Sequence, residues 1–107
     1  MELWKYSAAE IATAIKTKKV SAFEVTRAHL DRLKEVNPQI NAVVQEMPNE
    51  AFKQALKIDK KIKNGDDLGL LAGVPVTVKV NIDQKNYATT NGVNITPEMV
   101  VSPYEML

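Results

Sequence analysis

Two four-residue strings fix where this chain starts its helices: "SAAE" at Ser7–Glu10 and "SAFE" at Ser21–Glu24. Both have the S-x-x-E form of a capping box. In that arrangement the serine oxygen accepts the amide three residues on, and the glutamate reaches back to the serine's own amide. Tyr6 with Ile11, and Val20 with Val25, stand at the positions that a hydrophobic staple joins. The first helix is therefore expected from about Ala8 to Lys18, with Lys16, Lys18 and Lys19 facing the negative end of its dipole. The second is expected from Ala22 to about Val36, ended by Asn37–Pro38. Its core-facing positions are Val25, Ala28, Leu33 and Val36, with Phe23 and Leu30 on the flank.

After these helices, Ile40–Val44 is a short β-prone run, and Pro48–Asn49 resets the chain. A third helix is expected from about Glu50 to Lys63, with Ala51, Ala55, Ile58 and Ile62 on one stripe and Phe52 and Leu56 beside it. Asn64–Gly65 is a helix stop. "LLAGVPVTVKVNID", Leu70 to Asp83, then has the composition of a strand. Alternation sends Val74, Val76, Val78 and Val80 to one face and Pro75, Thr77, Lys79 and Asn81 to the other. Lys79 is thus a cation on a polar face, between a hydroxyl and an amide. The pattern leaves two readings, a solvated lysine guarding a strand edge and a working group in a site, and by itself it favours the first.

The 107 residues form about one small domain, and a formal net charge of +1 supplies no field for nucleic acid or an anionic membrane. Neither is expected as a partner. Arg27, Arg32 and Lys34 are interleaved with Glu24, Asp31 and Glu35, the pattern of a solvated helix face. The absence of cysteine excludes thiol nucleophiles, disulfides and zinc–thiolate sites, and it fits a cytoplasmic setting. The start of the chain has no signal-peptide pattern, and the longest apolar run is far too short to span a membrane. His29 is the single histidine, with no ligand spacing around it. Asp66, Asp67 and Asp83 belong to polar loop chemistry, so no metal or cofactor is expected. Trp4, Tyr6 and Phe23 lie close to helix starts, where docking the N-terminus is their simplest role.

The order of these pieces carries a resemblance. "SAAEIATAIKTKKVSAFEVTRAHLDRLKEVNPQINAVVQ", a helix, and then "LAGVPVTVKVNID…YATTNG" are similar to the N-terminal part of the amidase signature family, from about Ser7 to Gly92. The specific elements are "NAVV", L-x-G-V-P-V-x-V-K-x-N and TT-x-G. The resemblance implies an α/β fold, in which this chain supplies N-terminal helices and one or two strands of a large mixed sheet. It implies one N-terminal fragment over 1–107, helical over about 7–64, with a strand and active-site loop over about 70–92. It also implies hydrolysis of small-molecule carboxamides by a Ser–cis-Ser–Lys triad whose base is Lys79, with Thr89 and Thr90 near the substrate. A serine hydroxyl is a poor nucleophile until a base takes its proton, and a desolvated lysine amine can do so.

Two features depart from the family pattern. An acidic residue usually follows the lysine, where this chain has Val80, which alternation sends to the opposite face. The family's serines lie in a downstream glycine- and serine-rich segment, whereas Ser7, Ser21 and Ser102 here all have cap spacing. "SPYE" at Ser102–Glu105 begins a helix that an isolated short segment cannot sustain, so the chain reads as cut from a longer protein. On this reading the fragment alone is inactive. Two further readings stand beside it. One is the glutamine-hydrolysing subunit of a tRNA-dependent amidotransferase; the other is a non-enzymatic helical module that self-associates through its valine edge.

Overall fold

The computed structural model describes residues 2–79. The chain divides into two compact units, 1–75 and 76–107, and all the described helices belong to the first. A 3-10 turn at Leu3–Lys5 is followed by α1 (Ala8–Lys16), α2 (Ala22–Ile40) and α3 (Pro48–Lys63). The described residues contain three α-helices and no strand.

Both capping boxes form. The Ser7 oxygen accepts the Glu10 amide at 3.1 Å, and the Glu10 carboxylate accepts the Ser7 amide at 2.9 Å. At α2, Ser21 accepts the Glu24 amide at 3.0 Å, with the reciprocal bond at 3.4 Å. The bond from the Ser7 backbone amide, and then that from its side chain, hold the Glu10 carboxyl below its ordinary value of 4.5. A lowered folded-state value means that this cap stabilises fully above pH 4.5 and is lost as pH falls through the lower folded value. An NMR titration of the Ser7 amide should therefore show its transition below pH 4.5, and Glu10→Gln should abolish it. A midpoint at or above 4.5 would contradict the cap.

The helix ends differ from expectation in three places. α1 stops at Lys16 rather than Lys18, because Lys18 takes a left-handed φ of 63°. Its amide donates to the Ile15 carbonyl and the Lys19 amide to that of Ala14, the two bonds of a Schellman motif on a residue other than glycine. α2 runs through Pro38 to Ile40, so the proline near its end removes one hydrogen bond without stopping the helix. Asn41, at φ 48°, ends it instead, and the Asn37 side chain pairs with both backbone groups of Val43 at 2.9 Å. The Ile40–Val44 run is thereby a helix end and a loop. α3 begins at Pro48, where a missing amide costs nothing, and stops at Gly65 (φ 78°) in a second Schellman motif.

The core is Leu3, Ile11, Ile15, Val20, Ala22, Val25 and Ala55, with Ile58, Ile62 and Val74 packed against it. Ile15 and Val25 are its largest fully buried side chains, each stabilising by about 2 kcal/mol relative to exposure. The buried stripe of α2 is shifted toward its start: Ala22, Val25 and Thr26 are buried, whereas Leu33 and Val36 are only half-buried. Phe23 meets Phe52 with ring centroids 5.0 Å apart, which ties the start of α2 to α3. Leu56 is left exposed.

Candidate active site

The approach to Lys79 is a turn. The Ala72 amide donates to the Gly69 carbonyl and the Val74 amide to that of Leu71, so the expected strand does not begin at Leu70. Gly73 has φ +86°, a conformation that breaks β alternation and that side chains disfavour. Residues 74–79 carry no ladder bonds to another strand among the described residues. Alternation in a sequence says which residues share a face; it does not supply the partner whose amides and carbonyls make a sheet. Of the valines, Val74 packs against the core while Val76 is 73% exposed.

Lys79 is exposed, as is Thr77 two residues before it. The ion pairs among the described residues, Lys5–Glu2 and Arg32–Glu35, do not involve Lys79. Val80, Asn81, Asp83, Thr89, Thr90 and the cap at Ser102 lie outside the described residues. The structure thus places Lys79 and Thr77 and leaves the rest of the expected polar floor undescribed.

The competing candidates acquire structural roles. Ser7 and Ser21 are both committed as helix caps. The Nδ1 of His29 lies 2.8 Å from the Val25 carbonyl and, as the Nδ1–H tautomer, donates to it. Asp66 and Asp67 line an open groove of about 240 Å³ with Ile15, Ile62, Lys16 and Lys18. Among the described residues no group of three or more His, Cys, Asp or Glu side chains is arranged to hold a metal ion, and no helix is long and apolar enough to cross a membrane. Arg32 lies over the Trp4 ring at 4.0 Å and pairs with Glu35 at 2.7 Å, so it docks the N-terminal turn on α2.

One polar residue had no signal in the sequence. Asp59, on α3, accepts the Ala22 amide at 2.7 Å and the Phe23 amide at 3.1 Å. It caps a helix that starts 37 residues earlier in the chain. In the sequence it is one more charge in a lysine-rich helix, and only the packing of α3 beside the start of α2 gives it this task.

The segment around Lys79 lies within a span that matches known proteins. The Amidase family model matches residues 24–104. The chain is 46% identical over 91 residues to an indoleacetamide hydrolase of Bradyrhizobium diazoefficiens, covering 85% of this chain and 17% of that protein. It is 42% identical over 105 residues to a glutamyl-tRNA(Gln) amidotransferase subunit of Clostridium acetobutylicum, covering 98% of this chain and 21% of that protein. A glutamyl-tRNA(Gln) amidotransferase subunit of Thermobifida fusca is 42% identical over 104 residues, covering 97% of this chain and 21% of that protein. No solved structure matches the chain significantly. The chain is a member of the amidase family. It spans about one-fifth of the length of the curated relatives it matches.

Proposed function

We propose that this chain is the N-terminal part of an amidase and supplies Lys79 as its general base. The observation that carries this reading is the lysine motif, G-V-P-V-x-V-K-x-N, inside the matched span 24–104. In its uncharged form the Lys79 amine takes a proton, through a bridging serine, from the nucleophilic serine. The serine oxygen attacks the carboxamide carbon. The C–N bond breaks as the proton passes to the leaving nitrogen, and water then cleaves the acyl-serine to the carboxylate. Thr89 and Thr90 are the proposed substrate-side residues. With Ser7 and Ser21 held as caps and Ser102 at cap spacing, the 107-residue chain by itself is expected to release no ammonia from a carboxamide. Turnover by the purified chain that is abolished by Lys79→Ala would overturn that expectation.

A second reading has its own support, since several relatives that align over 97–98% of this chain are named as subunits of a glutamyl-tRNA(Gln) amidotransferase. Under it the substrate is glutamine, and the protein works with partner subunits and, through them, tRNA. Ammonia release from glutamine and from indole-3-acetamide, measured on the enzyme that contains these residues, separates the two. Release from the arylacetamide alone supports a free-standing amidase. Release from glutamine that rises on adding partner subunits supports the amidotransferase. No release from glutamine with partner subunits present sinks the amidotransferase.

A further inference from the structure

The solvent side of α3 carries Lys53, Lys57, Lys60, Lys61 and Lys63. At 3.6 residues per turn the first four share a face about 100° wide and about 12 Å long, with Lys63 at its border. All five are exposed, and none belongs to the ion pairs found among the described residues, Lys5–Glu2 and Arg32–Glu35. Asp59, in the middle of the same helix, is turned away to hold the Ala22 and Phe23 amides. Glu50 in the first turn and Asp66–Asp67 past the helix end are the nearest other acids in the chain. The net charge of +1 averages over this local excess. The helix dipole accounts for lysines in the last turn, but Lys53 and Lys57 stand well before it. Like charges three and four residues apart destabilise the helix that bears them, so the row costs the unit stability.

We infer that this face of α3 is a docking surface for RNA, which it grips by the phosphate backbone. Charge complementarity calls for a polyanion, and the composition of the face narrows the class. Arginine and aromatic side chains mark protein interfaces, where lysine is depleted. α3 has no arginine, and its one aromatic, Phe52, packs on Phe23. A lipid surface needs an apolar stripe to enter it, whereas Ala55, Ile58 and Ile62 are packed into the unit's own core. Lysines act on phosphates as point charges and read no base edges, so the contact is independent of sequence. The choice of RNA among phosphate polymers rests on the amidotransferase reading above.

The test follows the anisotropy of a fluorescently labelled tRNA transcript titrated with the enzyme that contains these residues, partner subunits left out, at about 50 to 200 mM salt. The wild-type enzyme should bind, with log K falling linearly as log salt rises. A variant with Lys53→Gln, Lys57→Gln, Lys60→Gln and Lys61→Gln should bind about 10²-fold more weakly at low salt, and its slope should be shallower by about 3. Arginine at the same four positions keeps the charge and should keep both values. With all four side chains exposed, neither variant should change Tm. Wild-type affinity and slope in the glutamine variant would overturn the inference, as would a wild-type enzyme that binds no tRNA. Displacement by polyglutamate at lower charge concentration than by unlabelled tRNA would assign the face to an acidic protein and overturn it too. Binding to phosphatidylserine vesicles without binding to tRNA would do the same in favour of a membrane surface. Ammonia release from glutamine, with partner subunits present, keeps the two readings apart. If release occurs while the glutamine variant binds tRNA as wild type does, the amidotransferase stands and the docking surface falls. If no release occurs while the variant loses tRNA binding, the surface stands and the amidotransferase falls.

Discussion

Lys79→Ala should lower kcat for carboxamide hydrolysis by about 10³-fold, the middle of the range for loss of a general base. In the proposed mechanism the amine takes a proton and does not hold the substrate, so KM should change far less than kcat. Lys79→Arg should be nearly as damaging. A guanidinium keeps the positive charge and has no accessible uncharged form, so it preserves any electrostatic role and removes the capacity to take a proton. Parallel losses in the two variants identify a base, whereas retention of activity by Lys79→Arg would identify a charge that merely stabilises the site. Because Lys79 is exposed and makes none of the core contacts, neither substitution should change the thermal stability of the helical unit.

The second large effect concerns stability. Asp59→Ala removes both oxygens that accept the Ala22 and Phe23 amides, at 2.7 and 3.1 Å. Ala22 is fully buried, so water cannot replace the carboxylate at its amide without opening the core. A charge-assisted cap of this kind contributes about 2 kcal/mol, and leaving a buried donor unpaired is the costly half of that loss. For a unit of this size the expected fall in Tm is about 10 °C. Asp59→Asn should cost less, since its carbonyl oxygen still accepts one amide, although its NH2 then faces the other. Thermal unfolding followed by far-UV CD gives both numbers. An Asp59→Ala variant that melts within about 2 °C of wild type would show that the cap contributes little.

Local chemistry was legible in the sequence, and long-range placement was not. Ser7 and Ser21 announce their helices because a capping box is complete within four residues. Gly65 ends α3 for a similarly local reason, and the apolar stripe of Ala55, Ile58 and Ile62 faces the core as its period requires. Pro38 misled because a proline near a helix end removes one bond, which the following turn can tolerate; the left-handed Asn41 ends α2 instead. The valine run spelled a strand, yet a strand is defined by its neighbour, and residues 74–79 have no ladder partner among the described residues. Asp59 and Gly73 were silent for the same physical reason: each is defined by what it touches across 36 or more residues of sequence. Lys79 is the opposite case. Alternation placed it on the polar side, but only its resemblance to a family motif gave it a reaction, and the match over 24–104 supports that family.

In the proposed mechanism the Lys79 amine moves the proton that makes a serine nucleophilic. Its most direct test is chemical rescue. Acylation of the Lys79→Ala enzyme is followed in a single turnover as release of the leaving amine, with and without added small primary amines. Acylation should nearly stop in the variant and recover in proportion to the concentration of uncharged added amine. A variant that acylates at the wild-type rate with no amine added would contradict it.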